Sequence, residues 1–281
     1  LPFLRFDPRG ALLAPGERSL TLGFSSANSL LYDGTIREDN ETERLAVRLR
    51  GGVSRGEWAI ELPFLSRGGG FQDPLIDAYH RLLGIGKFRS EVPYGRDEER
   101  LGPSGDFGGA TGIGDLTGTY SRALGPQAFA SLAVKLPTGD AGGLLGSGAV
   151  DAGAALYGRW KLARRLNLHG QAGLVYQGDP TRLVRARRWV DQESLAFEVP
   201  VNSRDAWTLQ WQSEPAAIRT GRTFFDGPRR QLTLGFTRQS SAKEAFQLFF
   251  SEDGDFLNYR VPQIVNVAPD FTIGVNWTRR I

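Results

Sequence analysis

Apolar and polar residues alternate along almost the whole chain, and the period of an amphipathic helix is nearly absent. Apolar positions fall on every second residue in Leu20, Leu22, Phe24; Leu45, Val47, Leu49; Trp58, Ile60, Leu62, Phe64; Leu116, Gly118, Tyr120; and Ala130, Leu132, Val134, Leu136. The pattern continues in Val150, Ala152, Ala154, Leu156, Trp160; Leu166, Leu168, Ala172, Leu174, Tyr176; Leu195, Phe197, Val199; and Trp207, Leu209, Trp211. It ends with Leu232, Leu234, Phe236; Phe246, Leu248, Phe250; and Phe271, Ile273, Val275, Trp277. These segments predict twelve strands, an even number. The opposite face carries Arg44, Arg48, Arg50, Glu57, Glu61, Asp115, Lys135, Asp151, Arg159, Lys161, His169, Gln171, Glu198 and Gln210. Arginines of the second strand facing glutamates of the third would make a charge ladder across one hairpin. The eleventh strand is ambiguous, because Phe249 falls on the polar side.

A soluble sandwich shows the same alternation, so the connections have to decide. They run roughly 14, 5, 45, 2, 10, 2, 11, 4, 15, 3 and 16 residues in order, long and short in strict turn. A membrane barrel has this asymmetry, with short periplasmic turns and long external loops. Trp58, Trp160, Trp207 and Trp277 lie on the apolar face, each a few residues from a short turn or the carboxyl terminus, where an aromatic girdle sits at the lipid interface. Phe64, Tyr176 and Trp211 lie toward the opposite ends. The competing reading makes these the core aromatics of a soluble β-protein. No Asp, Glu, Lys or Arg is assigned to the central band of the apolar face, where a midplane Arg or Lys costs about 2–4 kcal/mol.

Composition sharpens this picture. The 281 residues contain no cysteine, which excludes disulfides and thiolate metal sites, and no apolar run long enough for a spanning helix. A mean hydropathy of −0.29 fits a barrel in which half of each strand faces a polar lumen. The formal charge of +3 gives no reason to expect a nucleic-acid partner. The chain has no methionine, and Leu1 is read as following a removed signal peptide. The expected fold is all-β: a twelve-stranded antiparallel transmembrane β-barrel over residues 17–281, preceded by a short periplasmic segment, 1–16, in the outer membrane.

Several stretches carry a resemblance. GGGFQDPLIDAYHRLLGIG (68–86), TGIGDLTGTY (111–120), VKLPTGDAGG (134–143), FFSEDGD (249–255) and APDFTIGVNW (268–277) together span most of the chain. Combined, they resemble an uncharacterised family of Gram-negative outer-membrane β-barrels of the domain-of-unknown-function type. FQDPLIDAYHRLLG is the most specific piece. The resemblance implies a barrel in the outer membrane and brings no established activity with it. The chain departs from the usual terminal aromatic by ending Arg279, Arg280, Ile281, although Ile281 keeps the apolar phase.

The connection 67–111 is too long to be idle. It holds the one convincing helix: Asp73 as cap, Pro74 at the first position, a stripe of Leu75, Ile76, Tyr79, Leu82 and Leu83, and Gly84 as the stop. The stripe needs cover from the barrel mouth, the outer leaflet or a partner protein, and the mouth ranks first because twelve strands leave a modest lumen. Of the two histidines, His80 lies on this helix with Asp77 placed to orient it, and His169 faces the lumen. Neither has an outward serine in phase with it, so the chain is read as a non-enzyme. The acidic stretches Asp97, Glu98, Glu99 and Glu252, Asp253, Asp255 lack calcium-loop spacing and read as solvated faces. No metal, nucleotide or other cofactor is expected. Two functions remain: a narrow or loop-plugged passive channel for small solutes, or an accessory barrel of a larger envelope complex. The expected partners are outer-membrane lipid and, in the second case, other envelope proteins.

Overall fold

The computed structural model describes residues 3–7, 10–33, 36–82, 84, 93–221, 226–253, 269 and 271–281. Leu83 of the expected helical stripe and Asp255 of the last acidic stretch lie outside the described residues. In chain order the elements are β1 (Arg18–Asp33), β2 (Ile36–Val53), β3 (Gly56–Gly68), α1 (Asp73–Leu82), β4 (Glu98–Leu101), β5 (Asp106–Phe107), β6 (Ala110–Ile113), β7 (Leu116–Ala123) and β8 (Ala128–Leu136). There follow β9 (Asp151–Ala163), β10 (Leu166–Tyr176), β11 (Trp189–Pro200), β12 (Asp205–Pro215), β13 (Pro228–Gln239), β14 (Glu244–Asp253) and β15 (Phe271–Arg280). Successive strands pair antiparallel from β1 to β3 and from β7 to β15, β3 pairs with β6 and β7, and β1 pairs with β15, so the sheet closes. β6 and β7 pair in succession with β3 and form one stave broken at Gly114 and Asp115. The closed sheet therefore has twelve staves, as the alternation predicted, with β4 and β5 as an outlying flap on the end of β2.

Register puts the predicted apolar sets side by side. Leu22 lies between Val47 and Trp277, and Leu209 between Phe197 and Leu234. Their side chains are exposed: Leu132, Leu156, Leu195, Trp207 and Leu248 all stand on the outer wall. A continuous exposed apolar belt is the signature of lipid contact, since water would favour burying it. Trp58, Trp160, Trp207 and Trp277 sit within a few residues of the short-turn end of their strands and form the lower girdle. At the other end Tyr176 and Trp189, opposite each other in register, meet edge to face at 5.2 Å.

Two expectations are corrected and one ambiguity is resolved. The first connection is not a loop of about fourteen residues. β1 and β2 continue as a paired ribbon to Asp33 and Ile36. β11 starts at Trp189 instead of Leu195, and this brings exposed Asp191 and Glu193 onto the outward phase above Leu195. The apolar run on that wall is correspondingly short, with charge closer to the belt than alternation suggested. The ambiguity of the eleventh predicted strand is resolved as its phase implied, with Phe249 pointing inward. Its ring lies over Gly274, its register partner on β15, where any Cβ would overlap the ring. Gly274→Val is expected to destabilise the barrel by about 1–3 kcal/mol through overpacking. Urea unfolding in lipid vesicles measures it, and adding Phe249→Ala should recover most of the loss; no recovery would mean the ring is not seated on Gly274.

Candidate functional site: the plugged lumen

The inward face of the barrel is occupied by the chain's own amino-terminal segment. Sequence reasoning placed residues 1–16 in the periplasm, and for residues 3–7 and 10–16 the contacts correct this. The segment enters at the short-turn end, where Gly16 N donates to Gly52 O at 3.0 Å. Higher up, Leu13 N donates to Glu57 Oε2 at 2.8 Å, Arg50 Nη2 donates to Ala11 O at 3.0 Å, and Asp7 pairs with Arg48. Gln192 makes a two-point clamp: its Oε1 accepts from Phe6 N at 3.0 Å and its Nε2 donates to Leu4 O at 3.1 Å. Gln171 Nε2 reaches Phe6 O at 3.2 Å, and Asp151 Oδ2 accepts from Leu4 N at 3.0 Å. Arg5 pairs with Glu214 near the external end of β12.

Such a segment has no sheet of its own, so the barrel wall satisfies its backbone groups. The wall also supplies an apolar seat. Leu4 and Phe6 are buried with Phe129, Ala133, Ala155, Tyr157 and Val175, all inward-facing, and the Phe129 and Tyr157 rings stack at 4.5 Å. At the external end Phe3 joins Leu101, Phe107, Leu144, Leu183, Ala217 and Ile218, which come from four different external loops. The plug and the inturned loops thus share one hydrophobic cap.

Beside the plug a cavity of about 510 Å³ remains, walled mainly by the first three strands and β7. Its lining mixes Phe6, Leu65, Leu145 and Phe249 with Arg44, Arg48 and Glu61. The charges are largely paired. Arg44 and Arg48 both contact Glu61, and Arg50 Nη2 lies 2.6 Å from Glu57 Oε2, so the ladder expected across the β2–β3 hairpin forms. Lys135 Nζ lies 2.5 Å from Asp115 Oδ2 and 3.4 Å from Asp151 Oδ2, all three buried. Toward the short-turn end, Glu198 meets Arg159 at 3.2 Å and His169 Nε2 at 3.3 Å. Lys161 faces inward opposite Asn167 and is exposed. Gln210 contacts Gln212 at 3.4 Å. Every lumen candidate thus lies on the inward phase, and Arg48, Arg50, Glu57, Asp151 and Gln171 hold the plug directly.

The long connection divides between two places. Leu101 and Phe107 fold over the mouth, but α1 does not: it lies on the outer wall, where Tyr79 meets Phe250 and Phe271 edge to face at 5.8 and 5.9 Å. Both phenylalanines are on the outward phase of β14 and β15. Ile76 is buried, Tyr79 half-buried, and Leu75 and Leu82 exposed. The mouth was therefore the wrong cover for the stripe. Asp73 ties the helix down by accepting from Gly95 N at 2.8 Å and Asn28 Nδ2 at 3.2 Å. His80 packs beside Tyr79 on this helix, and burial lowers its affinity for a proton against the pull of Asp77. The acidic stretch after it is only in part a solvated face, Asp97 being exposed and Glu99 buried. Glu99 is buried against Arg67, Asp97 Oδ2 accepts from Gly109 N at 2.7 Å, and Glu98 pairs with Arg37 at 3.2 Å.

The model of the family described as a protein of unknown function, DUF3187, matches residues 8–280. The chain belongs to the DUF3187 family. Two of the stretches that carried the resemblance now have a structural reason. In GIGDL and LPTGD, Thr138 Oγ1 donates to Gly114 O and accepts from Leu116 N, both at 2.8 Å. Asp115 Oδ1 accepts from Gly139 N at 2.9 Å and Oδ2 from Ser147 N at 3.0 Å, so the two turns fold loop 137–150 into the lumen over Lys135. No curated protein matches the chain in sequence. Among solved structures, the COG4313 outer membrane channel from Pseudomonas putida F1 superposes with a TM-score of 0.68 at 13% identity, over 99% of this chain and 100% of that one. The translocator domain of autotransporter NalP from Neisseria meningitidis gives 0.50 at 9% identity, over 96% and 90%. At these identities the likeness is one of fold, and the fold is that of an outer-membrane β-barrel.

Alternation missed the plug because it reads one strand at a time. One signal was present: Phe129, Tyr157, Val175 and Phe249 are large apolar residues on a face that a water-filled lumen would leave polar.

Proposed function

We propose that this DUF3187 barrel is a passive outer-membrane channel for small, largely uncharged solutes, held closed at rest by its amino-terminal segment and inturned loops. The observation that carries the reading is the cavity of about 510 Å³, bounded on one side by a segment held through hydrogen bonds, ion pairs and side-chain packing instead of a strand ladder. A cavity of this size accommodates one small molecule. Its lining combines aromatic and aliphatic patches with internally paired charges, so it offers no net field to select an ion. The shared fold with a protein described as an outer membrane channel supports the same class.

Planar-bilayer recording and liposome swelling test this. The intact protein is expected to open rarely and to show a reversal potential near zero in a salt gradient. Removal of residues 3–14 should give a sustained conductance and swelling in small uncharged solutes. Silence in both forms would favour a filled scaffold barrel and would sink the channel reading.

A further inference from the structure

We infer that α1 is an interfacial lipid anchor: its exposed stripe of Leu75, Ala78 and Leu82, continued by Phe71, lies against acyl chains of the outer leaflet. The inference rests on the membrane barrel itself and is independent of whether the lumen conducts.

The first observation is that the helix buries only part of its apolar surface, Ile76 and Tyr79, against the wall, and buries polar groups beside them. Gln72, Asp73 and Asp77, polar or charged, are only 0, 3 and 6% exposed against the barrel, whereas Phe71, Leu75 and Leu82 are 53, 51 and 84% exposed. A helix at a protein–water surface buries its apolar stripe, since each large aliphatic side chain gains by leaving water. Leu75, Ala78 and Leu82 are spaced by three and four residues and form one face. The edge of that face carries Arg81, whose long stem lets the guanidinium reach the headgroups.

The second observation is why the polar side is content to be buried. The outward phase of β1 and β2 turns polar above Phe24 and Leu45, and Ser26, Asn28 and Glu41 there are buried under the segment leading into α1. Gln72 Nε2 donates to Ser26 Oγ at 2.5 Å, and Glu41 accepts from Phe71 N at 2.8 Å and from Gln72 N at 2.5 Å. Gly70, at φ +60°, lets the chain turn here, where any Cβ would overlap Glu41. Tyr94 donates its hydroxyl to Asp77, which satisfies the second buried carboxylate of the helix. The latch thus fixes which side of α1 faces the wall and leaves Leu75, Ala78 and Leu82 outward.

The third observation is continuity, and it identifies the occupant. Tyr79 packs on Phe250 and Phe271, which directly continue the outward rows Phe246, Leu248 and Trp277, Val275, Ile273 of the lipid belt. The helix therefore begins where the belt ends. An amphipathic helix at that level, with its apolar face outward and one basic residue at its edge, has the arrangement of a membrane-surface helix. On this side, where β14 and β1 have short apolar runs, it extends the apolar surface the barrel presents to lipid.

Spin labelling tests the inference, helped by the absence of any native cysteine. Labels are placed singly at Leu75→Cys and Leu82→Cys in vesicle-reconstituted full chain, with Leu248→Cys in the belt and Arg164→Cys in a short turn as references. All four positions are exposed, and heat-modifiable migration verifies folding of each variant. The expected result is high oxygen accessibility at Leu75→Cys and Leu82→Cys, with nickel-chelate collisions several-fold fewer than at Arg164→Cys. Nickel accessibility equal to that at Arg164→Cys would place the stripe in water and overturn the proposal. Shielding from both oxygen and nickel would indicate a protein neighbour and would overturn it equally.

Discussion

Gln192→Ala is expected to raise the open probability of the channel by a factor of about 30 or more. The side chain holds Phe6 N and Leu4 O at once, and it is buried between β11 and the plug. Truncating it leaves a backbone donor and an acceptor without partners inside the barrel, each at a cost of about 1–3 kcal/mol. Water in the adjoining cavity partly replaces the amide, so the lower end applies; about 2 kcal/mol in total still corresponds to roughly a 30-fold shift in the plug equilibrium. The barrel itself should not suffer, because β11 keeps its backbone ladder to β10 and β12. Gln210→Ala is the matched control: Gln210 also faces the lumen but contacts Gln212 and not the plug. Single-channel records in which the two variants behave alike, or in which Gln192→Ala stays as closed as the parent, would refute the plug as gate.

What this barrel looks like from outside was legible in the sequence; what fills it was not, and the reason is physical. Lipid imposes apolar character on one side of every stave without exception, so Leu22, Leu132 and Leu248 announce their phase residue by residue. The lumen imposes no such rule. Gln171, Gln192 and Asp151 would suit a water-filled pore as well as they suit the backbone of Leu4 and Phe6. Residues 3–7 have no period of their own because the wall supplies their hydrogen-bond partners irregularly. The helix shows the same division. Asp73, Pro74 and Gly84 mark its limits, since capping and chain reversal are local, but the side it presents depends on Glu41 and Asn28, more than thirty residues upstream. The mouth was ranked above the outer leaflet and a partner protein as cover for the stripe, and no local signal in the sequence shows that α1 is tied to the outer wall instead.

Lys135→Met is expected to destabilise the barrel by about 3–5 kcal/mol, the usual cost of removing one partner from a buried ion pair. Methionine fills much the same space, so the loss would be electrostatic and not a cavity effect. Lys135 Nζ is the cation between Asp115 and Asp151, and it also donates to Ser147 Oγ at 2.6 Å and Ala149 O at 3.1 Å. Without it, two buried carboxylates face each other with backbone N–H donors as their remaining support: Gly139 and Ser147 for Asp115, Leu4 and Gly178 for Asp151. Those donors belong to the inturned loop 137–150, the plug and the start of loop 177–188, so the strain falls on all three closing elements at once. Adding Asp115→Asn removes one of the two charges while keeping an acceptor for the backbone, and the double variant should regain a substantial part of the loss; a double-mutant cycle isolates that coupling. Urea unfolding in vesicles, followed by the emission of the six tryptophans, provides the measurement. If Lys135→Met unfolds at the same urea concentration as the parent, water screens these three groups and the cluster does not hold the closing elements together.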